Sequence, residues 1–370
     1  MEIQEQKNRM TREKLMSKLA NRSQDIGEAI KHIERSGEML NDFIVPAKEI
    51  YFDPVYGQDT QHVEMVFGAN TMTLHRNAVT QLAGRMGISA RDLQAEVTGP
   101  GWKQDVFVHR LNKYMANSPK SKFLVRKVDT EAKAILSDKY RRLNTAAIFL
   151  AFLQSAMQAG SVLVDANHGE LKDYLEVVHP EIVPVETEKN GIVDMVFGGQ
   201  IRNSDFGASK LELRIFAMNT WCLNGCTSKQ MIGERHLGSK IEQMDNVTFT
   251  AETMEADTKA RALQVRDIMN SLYSPENIQR ERERIKEASA IDLDFTAKIK
   301  ELPKMGATVG ECDTLTKVLM ANNPEDGVQG ANTLWKFAQG LTAVANKVGS
   351  DDRKRDLQDI ASSLLAGYVK

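Results

Sequence analysis

The sequence predicts an α+β protein with a central mixed or antiparallel sheet, packed helices, an N-terminal helical arm and a C-terminal helical region. β-rich runs and helical patterns alternate between residues 46 and 245, whereas helical patterns alone continue from 246 to 370. The chain has 370 residues and 42% of them are apolar, which is enough for at least one sizeable core. We therefore predict an arm over 1–45, an α+β core domain over 46–245 and a helical region over 246–370.

The first forty residues have the spacing of one amphipathic helix. Leu15, Leu19, Ile26, Ile30 and Ile33 recur at three-, four- and seven-residue intervals with charged residues between them. Strands are predicted between 47 and 68, where "EIYF" and "HVEMVFG" flank the turn-rich "DPVYGQDT". Short helices are predicted over 74–86, 90–97 and 102–116.

The central segment predicts strands on both sides of an apolar helix. "KFLVRKVD" and "EAKAILS" are β-rich runs around Asp129 and Thr130. "TAAIFLAFLQSAMQAG" is an apolar helix that ends at Gly160. Further strand candidates follow, separated by proline, glycine and asparagine: "SVLVDAN", "YLEVVH", "IVDMVFGGQIRNS" and "KLELRIFAMNTWC".

Helix signals dominate after residue 245 and predict four or five helices. Ser274 is a capping residue followed by Pro275 at the first helical position. Thr308 and Glu311 fit a capping box, and Ser350 precedes a last amphipathic helix.

Composition disfavours several classes of protein. No uninterrupted apolar window of roughly 18 residues is present, and the charged N-terminus lacks the apolar core of a signal peptide. We therefore expect a cytoplasmic protein without a membrane partner. Three cysteines cannot all pair, so no disulfide framework is expected. The chain has no Gly-x-x-x-x-Gly-Lys-Ser/Thr loop, so nucleotide hydrolysis of the P-loop type is not expected.

A zinc site remains one hypothesis. Cys222 and Cys226, with His236 further on, are within reach of such a site, but no neighbouring residue completes the four ligands that a structural zinc requires. Buried cysteine also commonly behaves as a small apolar residue. We expect structural cysteines, no cofactor and no catalytic residue.

Positive charge is concentrated between Lys120 and Arg142, where eight Lys and Arg face three carboxylates. Arginine matches phosphate oxygens and a tyrosine can stack on an unpaired base, so "SDKYRRLN" is typical of single-stranded nucleic-acid binding. The alternative is a charged strand edge that prevents aggregation. The predicted nucleic-acid-binding residues are Arg126, Lys127, Lys139, Tyr140, Arg141, Arg142, Arg202, Arg214, Arg235 and His236.

Four segments resemble a family. "RKVDTEAKAILSDKYRRLNTAAIF" is similar to the signature of phage/plasmid-like proteins that are classified as a domain of unknown function. "GGQIRNSDFGASKLELRIFAMNTWCLNGCT", "RHLG" and "NTLWKFAQGLTAVAN" resemble its later blocks, although Cys226 departs from the pattern. The resemblance covers roughly residues 100 to 345 and implies a context of phage or plasmid DNA.

These observations favour a phage- or plasmid-derived single-stranded DNA-binding protein that acts in strand annealing, recombination or replication and is not an enzyme. We expect homo-oligomers joined by sheet edges, and contacts with phage or host replication and recombination proteins. One alternative is a phage interaction protein that binds and redirects a host protein, favoured by the net charge of -2 and the 17 methionines. A zinc-dependent enzyme at Cys222, Cys226 and His236 is a further alternative.

Overall fold

A computed structural model of the protein describes residues 11–21, 24–56, 61–220, 223, 225–234, 250–323 and 326–368, with only the backbone described for 225–234. The described residues form twelve α-helices and two six-stranded sheets. The predicted α+β class is confirmed, with helices towards both ends of the chain. Two sheets are present where one was predicted.

Helices and strands alternate irregularly along the chain. The first half contains α1 (Arg12–Ala20), α2 (Ile26–Met39), β1 (Leu40–Pro46), β2 (Tyr51–Tyr56), β3 (Gln61–Phe67), β4 (Asn70–Leu74), α3 (Arg76–Met86), α4 (Ala90–Val97), α5 (Gly101–Ala116), β5 (Lys122–Val128) and β6 (Glu131–Ser137). The second half contains α6 (Thr145–Gln158), β7 (Val162–His168), β8 (Asp173–Val178), β9 (Val183–Thr187), β10 (Gly191–Asn203), β11 (Leu211–Asn219), β12 (Gly225–Glu234), α7 (Ala251–Leu272), α8 (Pro275–Ala290), α9 (Phe295–Glu301), α10 (Val309–Ala321), α11 (Leu334–Ala345) and α12 (Asp351–Tyr368).

The N-terminal segment forms two helices instead of the predicted one. α1 ends at Ala20, and α2 begins after Asp25, whose side chain accepts a hydrogen bond from the Glu28 N–H. This N-cap starts a new helix although the apolar spacing continues across the break. Leu15 and Leu19 of α1 are buried in a cluster on the second sheet, so α1 is docked on the core.

The first sheet has the strand order β1-β5-β6-β4-β3-β2, and its one parallel pair in the described residues is β4 with β6. Helices α3, α4 and α5 cover one face, where Leu82, Leu93 and Phe107 join the same apolar cluster as Val125. The opposite face carries a smaller cluster around Leu124. Alternate residues of β5 therefore serve two different cores.

The second sheet is antiparallel in the order β12-β11-β10-β8-β7, with β9 paired to one end of β10. Helices α2, α6 and α7 pack on one face. A Cβ atom at Gly199 of β10 would lie 3.0 Å from Phe152 and 2.9 Å from Met269, so glycine allows these helices to approach closely. Polar side chains on the other face contact α12.

The described part of the C-terminal region contains six helices, α7 to α12, where four or five were predicted. The short additional helix is α9, which is capped by Asp294. α11 is buried along its whole length and shares an apolar cluster with α10, α12 and residues such as Phe197 of the second sheet. The helical region is therefore packed against the sheet.

Four strands, β1, β4, β9 and β12, were not predicted. β1 was assigned to the N-terminal helix, but its backbone pairs with β5, from Leu40 with Val128 to Pro46 with Lys122. β4 and β9 have five residues each, too few for a clear alternating pattern. β12 contains Cys226 and pairs with β11.

The predicted capping box at Thr308 is present. The Glu311 N–H donates to the Thr308 hydroxyl, and the Glu311 carboxylate accepts from the Thr308 N–H at 2.7 Å. Arg353 of α12 also donates to Glu311, at 2.7 and 2.5 Å. Hydrogen bonds from Arg353 outweigh partial burial and, with those from Thr308, lower the pKa of Glu311 to about 2.

We predict that Glu311→Gln lowers the free energy of unfolding by about 1–2 kcal/mol at neutral pH. Because the folded pKa lies below the unfolded value, the wild-type protein loses this contribution as pH falls from about 4.5 towards 2, and the difference between the two proteins shrinks. Urea unfolding over this range measures the difference. Asp313→Asn, which removes an exposed carboxylate from the same helix, should change stability by less than about 0.5 kcal/mol. A Glu311→Gln difference that stays constant with pH would contradict the prediction.

Candidate nucleic-acid interface

Arg126, the first predicted phosphate contact, is a buried ion-pair residue of β5 with 0% of its surface exposed. Its guanidinium donates to Asp42 at 2.8 and 3.3 Å, to the Asp205 carbonyl at 2.5 Å and to the Asn144 side chain at 2.8 Å. Burial opposes the charge, but Asp205 and Asp42 outweigh it and raise the pKa of Arg126. These donors are directed at internal acceptors, so the structure favours a role in the fold for Arg126 over the predicted phosphate contact.

Tyr140 is also buried, with 8% of its surface exposed. Its ring packs with Leu124 and Leu136 on the inner face of the first sheet, and its hydroxyl donates to the Ser204 carbonyl at 3.4 Å. Burial raises the pKa of this hydroxyl. Because the protein covers this ring, the structure favours a packing role for Tyr140 over the predicted stacking role.

Arg141 and Arg142 pair with carboxylates from different elements. Nε and Nη2 of Arg141 each lie 2.5 Å from an oxygen of Asp257 in α7. Nη1 of Arg142 lies 3.6 Å from Asp42, and burial lowers the pKa of Arg142. Asp257 balances the charge of Arg141, whereas Arg142 shares Asp42 with Arg126.

Arg202 and Arg214 lie on neighbouring strands of the second sheet and share two carboxylates. Both pair with buried Glu212. Both also donate to Asp359 of α12, at 2.9 Å from Arg202 and 2.5 Å from Arg214. An acidic side chain of α12 therefore contacts both of these predicted nucleic-acid-binding arginines.

The remaining predicted residues do not complete an open groove within the described part of the chain. Lys127 and Lys139 are partly exposed. Arg235 and His236 lie outside the described residues. Cys222 also lies outside them, and only the backbone of Cys226 is described, so the zinc hypothesis stays a prediction.

His75, Glu131 and Glu170 place three possible metal ligands within 4.8 Å of one another. Lys133 already sets its ammonium group 2.8 Å from Glu131 and 3.2 Å from Glu170. Nδ1 of His75 accepts the Asn77 N–H, which assigns the imidazole proton to Nε2, 3.1 Å from Glu170. A metal at Nε2 would move that proton to Nδ1. Nδ1 could then no longer accept the Asn77 N–H, and the N-terminal cap of α3 would be lost. The arrangement favours a hydrogen-bonded ion-pair cluster over a metal site.

Accessible positive charge lies on α5 and the start of β5. From 102 to 127 the chain has seven Lys and Arg but one carboxylate, Asp105. Lys113, Lys120 and Lys122 are exposed, and no ion pair joins them to a carboxylate of the described residues. Asp105 accepts a hydrogen bond from the Tyr56 hydroxyl. We term the exposed side of α5 together with Lys120 and Lys122 the α5–β5 surface.

Helical spacing arranges the α5–β5 surface in a row. Trp102, Val106, His109 and Lys113 follow one another at three- and four-residue intervals, and all four are exposed. Arg110, beside this row, forms an ion pair with Glu96 at 2.9 Å. The sequence predicts this helix, but the predicted cationic segment begins at Lys120. The exposed row on α5 was therefore missed. The available signal was the helical spacing that places Trp102 on the same helix face as Lys113.

Comparison with protein-family models, curated proteins and solved structures finds no match to this chain. The likeness to phage/plasmid-like proteins stays an expectation that is carried by the quoted segments. Within the described ranges, no helix has both the length and the apolar character of a membrane span.

We predict that Arg126→Met lowers the free energy of unfolding by about 3–5 kcal/mol, because it leaves Asp42 and Asp205 without their compensating charge. Chemical denaturation followed by circular dichroism measures the loss. Lys127→Met changes the next residue of β5, which is partly exposed, and should cost less than about 0.5 kcal/mol. Similar losses in the two variants would show that Arg126 has no special role.

Proposed function

We propose that the protein is a single-stranded DNA-binding protein of phage or plasmid origin that acts in strand annealing, recombination or replication without catalysis of its own. The observation that supports the proposal is the α5–β5 surface, where lysines reach solvent without a carboxylate partner among the described residues. The residues first predicted to bind phosphate, Arg126 above all, would support the fold instead.

Phosphate binding explains why local charge matters more than the net charge of -2. Each lysine that neutralises a phosphate releases a counterion, so affinity falls as salt rises. Lys113 near the end of α5 and Lys120 and Lys122 at the start of β5 are separated by one short connection. They would offer three exposed ammonium groups close to the α5–β5 connection.

We also propose that copies of this chain associate into a homo-oligomer through the edges of their sheets. The first sheet ends in β1 and β2, and the second in β7 and β12. End strands present backbone groups that another strand can pair with. Phage or host proteins of replication and recombination are further proposed partners of this protein.

We predict that replacing Lys113, Lys120 and Lys122 together by glutamine weakens binding to a labelled single-stranded oligonucleotide and makes it less salt-dependent. The slope of log affinity against log salt should become shallower by about 2, because each phosphate that a lysine neutralises on a single strand contributes about 0.7 to the slope. Fluorescence anisotropy over a salt series measures both quantities.

The matched control is a triple glutamine variant at Lys259, Lys286 and Lys300, which are exposed in the acidic C-terminal region. It removes the same charge and should leave the slope unchanged. Equal effects of the two triple variants would mean that net charge, not the α5–β5 surface, governs binding. A wild-type protein that binds no oligonucleotide at low salt would refute the proposed function.

A further inference from the structure

Trp102 is the most exposed aromatic residue among the described side chains, with 65% of its surface accessible. Tryptophan is seldom left so open, because its large ring gains free energy from burial. The side chain lies in the first turn of α5, and the ring of Tyr56 lies within 3.3 Å of the Cβ position of the preceding Gly101. Val106, one turn further on, is exposed as well.

One cation lies beside this ring and another follows along the helix. The Lys103 ammonium lies 5.6 Å from the Trp102 ring centroid. Lys113 follows on the same helix face, about 16 Å from Trp102 along the axis at 1.5 Å per residue. The charge requires an anionic partner, and the open ring requires a partner with accessible flat or apolar groups.

A single strand of nucleic acid meets both requirements. In a duplex the bases are stacked and paired inside, so Trp102 would have no base face to contact. An anionic membrane would need a wide apolar face, whereas the apolar side of α5, including Phe107 and Leu111, is buried in the core. A row that begins at an open aromatic ring and ends at an exposed lysine favours a polymer that offers both bases and phosphates.

We propose that Trp102 stacks on an unpaired base while Lys113, Lys120 and Lys122 contact phosphates further along the same nucleic-acid strand, so that the α5–β5 surface selects single strands over duplex. This inference rests on the proposed function and assigns its specificity to one side chain. α5 is fixed by its buried face, so the ring is presented on a rigid element.

The test compares Trp102→Leu with wild type on a thymine oligonucleotide and on a duplex of equal length. We expect Trp102→Leu to lose about 5- to 150-fold in single-strand affinity, the range for one stacked base, with little change on the duplex. Trp102→Phe should recover part of the loss. Trp221 lies outside the described residues, so it is replaced by phenylalanine in both proteins for the fluorescence measurement. Oligonucleotide should then quench the fluorescence of the protein that retains Trp102, and quenching should fall sharply in Trp102→Phe, since Trp335 is buried.

Tyr368→Leu is the matched control. Tyr368 is an exposed aromatic residue of α12 with the Lys298 ammonium 5.1 Å from its ring centroid, and it lies outside the α5–β5 surface. The Tyr368→Leu variant should bind the single strand and the duplex with the affinities of the wild-type protein. Unchanged thermal unfolding of both leucine variants would show that the fold is intact.

The outcomes separate the inference from the function on which it rests. If the triple glutamine variant loses binding while Trp102→Leu retains full single-strand affinity, stacking is refuted and the proposed function stands. If wild type binds no DNA, both are refuted. If Trp102 is required for binding to anionic phospholipid vesicles but not to oligonucleotides, the surface is a membrane contact and the inference is wrong.

Discussion

The rest of the structure depends on the buried guanidinium of Arg126, which joins three separate segments of the chain. It holds Asp42 of β1 in the first sheet, the Asp205 segment that follows β10 in the second sheet, and Asn144 at the start of α6. A buried charge is tolerated only when its partners are fixed around it, so this pairing constrains the relative positions of the three segments. "SDKYRRLN" is shaped by that constraint, since Tyr140 closes the cluster beside Arg126.

Arginine and lysine have different roles in this protein. The arginines of the predicted site, such as Arg141 and Arg214, make forked or multiple contacts with internal carboxylates. Arginine suits such positions because its planar guanidinium stays charged and offers several fixed donors. Lys113, Lys120 and Lys122 instead extend into solvent. Flexible, strongly hydrated ammonium groups suit salt-dependent contacts with a polyanion.

A helix that is buried on one side and open on the other connects the fold to the proposed function. Phe107 and Leu111 anchor α5 on the first sheet, and this packing fixes the direction of the exposed row without additional contacts. The row loses little backbone freedom when a partner binds, because the helix is already formed. Asp105, the one carboxylate of the segment, is held by Tyr56 at the edge of the row.

The sequence by itself determined the α+β class, most helices and their caps, including Ser274 and the Thr308 box, because these signals act within a few residues. It also indicated α5 and β5, the elements that carry the candidate site. Only the tertiary structure decided that there are two sheets, that β1 and β12 are strands, and which cations reach solvent. The partners of Arg126 lie 84 and 79 residues away in the chain, and no local pattern records a pairing over that distance. Charge that looked available in the sequence was therefore neutralised by folding, while the lysines and Trp102 of the α5–β5 surface stayed open.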